Sequence, residues 1–264
     1  MPELPEVECI VRSLRPHLEG GRIAAVAFQS PLAAGGRPAE IPQFLTDRSI
    51  LAVRRRGKFV LLELEDGFCA IHLRMTGRLV WNGAEGPHTR AVFTLESGRL
   101  VLDDIRQFAR VLAGPTLPEA VARLGPEPFD LTAAEFAQRL RARRGRLKPL
   151  LLDQGFLAGL GNIYADEALH RARIHPLQPA SRLSVRRMEA LHAAIVEVLE
   201  EAIAAGGSSI SDYVDGAGRA GAFQRFHRVY GREGEPCRQC GAAVRRIVVA
   251  QRGTHYCPRC QRLQ

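Results

Sequence analysis

Two Cys-x-x-Cys pairs, Cys237/Cys240 and Cys257/Cys260, with sixteen residues between them, constrain this 264-residue chain more than any other feature. That spacing suits a tetrahedral four-thiolate zinc site. Gly241 follows the first pair, where a tight metal-binding turn is expected. Between the pairs, residues 242–250 read as one strand and 254–256 as a second, with Arg252-Gly253 at the turn. The pattern predicts a zinc-bound β-hairpin. The competing reading, two structural disulfides, belongs to oxidising compartments. Residues 1–8 are acidic and carry Pro2 and Pro5, unlike a secretory or transit peptide, which would be basic and then apolar or Arg-rich. Cys9 and Cys69 sit among apolar residues and are expected to be buried, inert thiols.

The charge is uneven. The net charge is +9, and from Asp215 onward ten arginines face only Asp215, Glu233 and Glu235, so this tail carries +7. A basic terminal segment suggests a polyanion partner, most plausibly nucleic acid, against the plainer reading of solvated arginines that aid solubility. Of the 37 cations, 35 are Arg and two are Lys, Lys58 and Lys148. Arginine does not release its proton in a protein and lysine does, so each lysine is a candidate for proton chemistry. No apolar run reaches the roughly 18 residues of a membrane span.

Three blocks follow from periodicity. Short apolar runs at 23–28, 50–54, 59–64, 68–73, 90–95 and 100–102, punctuated by Asp66-Gly67, Asn82-Gly83 and Ser97-Gly98, predict a β-sandwich or barrel. Val7, Ile10, Val11, Leu14 and Leu18 predict a helix before it. Residues 132–205 are helical in pattern, and Thr132 with Glu135 is a capping box. Residues 212–222 hold three glycines and read as a mobile loop. The division expected is a first domain over 1–114, a linker over 115–130, a helical domain over 131–226 and a zinc finger over 227–264, an α+β multidomain chain.

Two further features carry chemistry. Gly155, Gly159 and Gly161 mark a turn between helices, with Asn162 at the start of the next one. Helix N-termini bind phosphate, although an ordinary helical hairpin capped by Asn162 explains the same residues. At the N-terminus, removal of Met1 would free Pro2 as a secondary amine. An α-amino group has a pKa of about 7.7–8.0 against about 10.4 for lysine, so part of it is unprotonated near neutrality. Such an amine attacking a sugar aldehyde carbon forms an iminium ion, an electron sink for elimination. Glu3 beside it can move protons, with Glu6 and Glu8 close by. The plain alternative is a rigid, acidic start to the first helix.

The run Pro2-Glu3-Leu4-Pro5-Glu6-Val7-Glu8 resembles the start of bacterial formamidopyrimidine-DNA glycosylases. Arg56-Gly57-Lys58-Phe59, His72-Leu73-Arg74-Met75-Thr76-Gly77, Asp104-Ile105-Arg106-Gln107-Phe108, Gly159-Leu160-Gly161-Asn162-Ile163-Tyr164-Ala165, Val229-Tyr230-Gly231-Arg232 and the final hairpin are similar to that family's motifs, in the same order. The resemblance spans essentially the whole chain. It implies an N-terminal β-sandwich, a helical domain with a helix-two-turn-helix motif and a C-terminal zinc finger with one structural Zn2+. It also implies excision of oxidised purines, chiefly 8-oxoguanine and formamidopyrimidines, from double-stranded DNA, followed by strand cleavage at the abasic site.

By the same resemblance Pro2 is the nucleophile and Glu3 the general acid–base. Lys58 donates a proton in β-elimination, and Arg252 serves δ-elimination, physically as a phosphate clamp. Met75, Arg106 and Phe108 fill the gap left by the flipped nucleotide. His88, Arg143, Lys148 and Asn162 contact DNA, and residues 212–222 match a lesion-capping loop. Ile105, Gln107, Ala109 and Arg90 depart from the family's usual Pro, Arg, Gly and His. Alternatives are an endonuclease VIII-type enzyme for oxidised pyrimidines, whose start usually has Gly where this chain has Leu4, and a non-catalytic DNA binder on the same scaffold, which would need none of Pro2, Glu3 and Lys58. A cytoplasmic monomer associated with the nucleoid, without a membrane partner, is expected.

Overall fold

The computed structural model describes residues 1–263. Packing divides the chain into two units: Met1–Arg123 with Ile203–Gln224, and Leu124–Ala202 with the chain from Arg225 onward.

The first unit opens with helix α1 (Leu4–Leu18). Val7, Ile10, Val11, Leu14 and Leu18 are its buried stripe, as the helical spacing predicts. Pro5 lies in the first turn, where the missing N–H costs no intrahelical bond. There follow β1 (Ile23–Phe28), α2 (Glu40–Leu45), β2 (Ile50–Arg56), β3 (Phe59–Leu64), β4 (Gly67–His72), β5 (Arg78–Trp81), β6 (Thr89–Leu95), β7 (Gly98–Asp103), β8 (Arg110–Gly114) and α3 (Glu119–Ala122). Two antiparallel sheets form, in the orders β1-β6-β7-β5 and β2-β3-β4-β8. One core joins Ile10 and Leu14 of α1 to Leu62 and Ile71 of one sheet and Phe93 and Leu102 of the other. The predicted sandwich is therefore present.

Sequence periodicity passes over α2, β5, β8 and α3. Each has four to six residues. In β5 only Leu79 is buried, so no alternation is visible until Arg78–Trp81 pairs with β7. The turn read at Asp66-Gly67 also moves, since Gly67 opens β4 opposite Leu64.

Residues 212–222, read as mobile, are tied down within this unit. Gly216 O accepts Trp81 N–H at 2.8 Å, and Gly216 N–H donates to Ser13 Oγ at 2.8 Å. The Asp215 carboxylate accepts Ala217 and Arg219 N–H at 2.9 Å each. A Cβ on Gly216 would lie 2.5 Å from Leu14, so glycine here permits close approach rather than looseness.

The second unit holds α4 (Ala133–Arg141), α5 (Leu147–Leu152), α6 (Asn162–Arg171), α7 (Val185–Ala204) as far as Ala202, and the hairpin β9 (Arg245–Val249) with β10 (Arg252–Tyr256). The Thr132/Glu135 capping box forms: Thr132 Oγ1 accepts Glu135 N–H at 3.2 Å and Glu135 Oε2 accepts Thr132 N–H at 2.8 Å. The first hairpin strand starts at Arg245, not at 242, because Ala242 O is already bonded to Cys237 N–H and Val244 N–H to Glu235 O. The turn is Ala250-Gln251, both at positive φ, and not Arg252-Gly253. Arg252 pairs with Val249 and so opens β10. Among the described residues no helix is long and apolar enough to cross a membrane.

α1 packs on β2 and β3. Glu8 of α1 accepts from Arg12 Nε at 2.7 Å and from Arg55 Nε of β2 at 2.9 Å. Burial opposes ionisation of Glu8, but the two guanidiniums outweigh it and hold its carboxyl below the usual range. A depressed carboxyl stabilises the fold above its unfolded pKa of about 4.3 and ceases to do so as pH falls through the folded value. Glu8→Gln should therefore cost about 1–2 kcal/mol near neutrality. In urea melts the gap from wild type should stay constant above pH 5 or so and narrow below about pH 4.

Candidate functional site

In the first unit, Pro2 and Glu3 lead into α1 and both are buried, with Glu3 as the N-cap. Glu3 N–H donates to Glu6 Oε2 at 2.8 Å, while Glu6 Oε1 accepts Ser208 N–H at 2.8 Å. Tyr213 OH donates to Glu6 O at 3.3 Å. Glu6 is thus committed to backbone positioning, and Glu8 to the ion pairs above.

Lys58 is 7% exposed and lies in the two-residue turn joining β2 to β3, where Arg56 pairs with Phe59. Gly57 precedes it at φ 57°, the left-handed first position that a II′ hairpin turn reserves for glycine. His72 stands opposite Phe59 in the register and packs edge-on against that ring. Burial, then the Arg74 and Lys58 cations, push the His72 pKa down to about 3. The imidazole is neutral, and its Nδ1 accepts Arg74 N–H at 3.0 Å. Arg74 is held at φ 56°, turning the chain just before Met75.

Met75 is 40% and Phe108 44% exposed, so both apolar side chains meet solvent. The Arg106 guanidinium lies over the Phe108 ring at 4.6 Å. Exposed His88 lines a cavity of about 200 Å3 together with Thr76, Asp104 and Ile105. The structure therefore gathers Met75, Arg106 and Phe108 on two neighbouring loops, with His88 next to them.

In the second unit, Asn162 is the first residue of α6, after the Gly161 N-cap. Its Nδ2 donates to Gly253 O of β10 at 2.9 Å, while its Oδ1 has no partner. Arg252 is exposed at the start of β10, and Arg143 is exposed with its guanidinium 5.6 Å from the Phe156 ring centroid. Lys148 requires a correction. It was expected among the DNA contacts, but it is fully buried and ion-paired with buried Asp166. A phosphate cannot reach an ammonium that is enclosed in this way. Asp166 Oδ2 also accepts His255 N–H at 2.9 Å, so the pair ties α5 and α6 to β10.

The four zinc-type cysteines are free thiols whose Sγ atoms all lie within 4.8 Å of one another. Tetrahedral Zn–S bonds of about 2.3 Å place sulfurs roughly 3.8 Å apart, so the cluster fits one zinc ion. The Ala242 N–H lowers the Cys240 thiol pKa, whereas burial raises those of Cys257 and Cys260, so the metal itself has to draw off protons as it binds. His170 Nε2 lies 3.4 Å from Cys237 Sγ, and burial with nearby arginines lowers the His170 pKa to about 4. A neutral imidazole there can donate one N–H to the sulfur. Cys69 meets its expectation as a buried thiol pushed up to about 12, and half-buried Cys9 rises to about 11.

Reading the sequence misses the acids that organise these parts. Glu167 accepts N–H bonds from Arg228, Val229 and Tyr230 at 2.8–2.9 Å, and burial still raises its pKa. Asp104 acts likewise on its own loop, and Asp166 on strand β10. Only Asp104 had a local signal, an acid two residues before a loop arginine, as in an Asx-turn.

A β-sandwich with a buried Pro-Glu start, a helical unit and a four-thiolate finger define a class, and comparison identifies it. Residues 1–111 match the model of the formamidopyrimidine-DNA glycosylase N-terminal domain, 124–214 that of the H2TH domain, and 234–263 that of the zinc finger found in FPG and IleRS. A formamidopyrimidine-DNA glycosylase of Solibacter usitatus is 52% identical over 264 residues, covering 99% of this chain and 100% of its own. The crystal structure of the MutM (FPG) protein from Thermus thermophilus superposes with a TM-score of 0.90 at 43% identity, covering 100% of both chains. A Lactococcus lactis FPG variant in complex with Fapy-dG-containing DNA gives 0.89 at 35% identity, covering 99% of this chain and 100% of its own. The chain belongs to the formamidopyrimidine-DNA glycosylase family.

The finger's own core is Val229, Val244 and the thiols, too small to fold alone. Cys260→Ser, or chelation, should release zinc and abolish DNA binding while the first unit keeps its melting transition. Metal analysis, DNA titration and calorimetry test this, and a zinc-free variant with full lesion cleavage would refute it.

Proposed function

We propose that the chain excises oxidised purines from double-stranded DNA and then cuts the strand through a Pro2 Schiff base. The observation that carries the reading is that Glu3 and Lys58, ionisable residues that a passive binder would leave in water, are 2% and 7% exposed within the unit that begins at Pro2. Burying such groups is costly and is kept either for structure, as at Lys148 and Asp166, or where chemistry needs it, and the family motifs at Pro2-Glu3 and Lys58 favour the second.

The steps follow from the residue types. After loss of Met1, the Pro2 nitrogen attacks C1′ of the flipped nucleotide. The base departs with its bonding electron pair and takes up a proton, and the sugar ring opens to an iminium ion. Glu3 takes the proton lost by the Pro2 nitrogen and delivers one to the ring oxygen as it opens. A base removes a C2′ proton, the C–H electron pair passes into the iminium sink as an enamine, and the 3′ C–O bond breaks with its pair on the departing phosphate; Lys58 donates a proton in this step. δ-Elimination expels the 5′ phosphate, with Arg252 stabilising the departing charge. Water then releases Pro2. Met75, Arg106 and Phe108 replace the extruded nucleotide, while His88, Arg143 and Asn162 hold phosphates. In this division of labour 1–114 carry the chemistry apart from Arg252, 131–226 and 227–264 grip DNA, and 212–222 cover the lesion. The enzyme works as a monomer in the bacterial cytoplasm on nucleoid DNA.

Two measurements test this. Borohydride should trap mature protein on abasic DNA, since only an imine or iminium reduces to a stable amine. A residue retained before Pro2 should abolish trapping, because the nitrogen is then an amide, yet leave lesion binding intact. Lys58→Arg should slow strand cleavage more than it weakens binding. A covalent adduct formed with Pro2 blocked would assign the nucleophile to another amine.

Lesion-duplex affinity should also fall with salt, and Arg143→Ala or Arg252→Ala should each flatten the log–log slope by about 0.9. Lys148→Met should lower stability without changing the slope. Slopes unaltered by the arginine variants would remove them from the phosphate contacts.

A further inference from the structure

Two loops far apart in sequence converge on one carboxylate. Asp104, just past β7, is 1% exposed. Its Oδ1 accepts the Thr76 hydroxyl and Arg106 N–H, the latter at 3.2 Å. Its Oδ2 accepts Phe108 N–H and Ala109 N–H at 2.7 Å each. Its backbone is engaged as well: the N–H donates to His88 O at 2.9 Å, and the carbonyl accepts Arg90 Nε at 2.8 Å. A carboxylate has about four acceptor sites, and all four find donors here.

The consequence is geometric. Thr76 follows Met75 directly, and the three N–H donors belong to the segment that carries Arg106 and Phe108. Between them Gln107 is forced to φ 58°, a region that residues other than glycine rarely adopt. Its side chain is pinned as well, with Gln107 Oε1 accepting the Ser30 hydroxyl at 3.0 Å. With the backbone so folded, Arg106 and Phe108 project outward, stacked on each other, while Ala109 turns into the core. Charge-assisted bonds to a buried carboxylate are strong and directional, so the loop is rigid before any ligand arrives.

We propose that Asp104 is the positioning residue that sets Met75, Arg106 and Phe108 as a single preformed wedge for entering the base stack. The proposal rests on the reading of those three as the side chains that replace the flipped nucleotide. A wedge ordered in advance spends none of its insertion energy on ordering itself. Asparagine at 104 would offer one oxygen instead of two and would aim an N–H2 at backbone N–H groups. It would therefore loosen the wedge without changing the chemistry at Pro2.

The full-length zinc-loaded enzyme is compared as wild type, Asp104→Asn, Thr76→Val, Thr76→Ser, Met75→Ala and Phe108→Ala. The first readout is stopped-flow fluorescence of 2-aminopurine beside 8-oxoguanine in a duplex, which reports unstacking. The second is borohydride trapping on a single-stranded abasic oligonucleotide, where no stack must open. Asp104→Asn should slow unstacking by about tenfold or more, since extrusion costs a few kcal/mol that the wedge offsets, and should leave trapping within about twofold. Thr76→Val should show a smaller loss of the same kind, and Thr76→Ser should restore wild-type rates. In a Phe108→Ala background, Asp104→Asn should add no more than about twofold, because the two act as one unit.

Equal losses on both substrates, full additivity with Phe108→Ala, or unchanged unstacking would overturn the proposal. If Met75→Ala and Phe108→Ala leave unstacking at the wild-type rate, the wedge reading itself falls and takes the proposal with it. If they slow unstacking and Asp104→Asn does not, only the positioning role falls. Should Asp104→Asn fail to fold by circular dichroism, Thr76→Val decides, and a wild-type unstacking rate in that variant overturns the proposal.

Discussion

The Glu6 carboxylate holds the start of the chain in place. One oxygen accepts Glu3 N–H and the other accepts Ser208 N–H, so a residue of the first helical turn fixes both the peptide next to Pro2 and a segment two hundred residues later. A terminal dipeptide has almost no packing of its own and would fray in water. Here it is buried, and the Glu8–Arg55 pair locks the helix onto the strand that leads to Lys58. Pro2, Glu3 and Lys58, the residues to which the proposed function gives the chemistry, therefore rest on one packed element pair, not on a loose end.

The same device recurs wherever regular structure stops. Asp104 gathers donors from two loops of the first unit. In the second, Glu167 collects three consecutive N–H groups of 228–230, and Asp166 links Lys148 to β10. A buried carboxylate without partners would be heavily penalised, and one with several N–H donors is strongly stabilised. Asp104 and Glu167 thus each demand one loop conformation, which in the case of Asp104 leaves Phe108 facing outward, while Asp166 fixes the strand that Arg252 opens. Zinc does for the finger what these acids do for the loops, supplying through four thiolates the fixed points that a tiny apolar core cannot.

Much of this was legible in the residues. The helical stripe of α1, most strands, the Thr132/Glu135 cap and the cysteine cluster all lie where local pattern puts them. The failures share a cause. β5 and α3 are too short to carry a period, and the glycines of 212–222 suggested looseness where they allow close packing against α1. The resemblance puts Lys148 among the DNA contacts, and composition cannot distinguish an ammonium facing water from one enclosed with Asp166.

Sequence alone determines what depends on covalent order and local spacing. The potential secondary amine at Pro2, the Cys-x-x-Cys pairs that can close on one ion, the apolar periods that oblige helices and strands to share a core, and the family motifs need no coordinates. Tertiary structure decides what depends on long-range pairing. It makes Glu6 a clamp and Glu8 an ion-pair partner, draws Thr76 and Phe108 to the same carboxylate, buries Lys148, and sets Arg252 on a strand rather than in a turn. The physical reason is that burial and hydrogen-bond satisfaction belong to the whole packed chain. A residue's charge is written in the sequence, but whether it meets water, a peptide N–H or an opposite charge is settled only when distant segments come together.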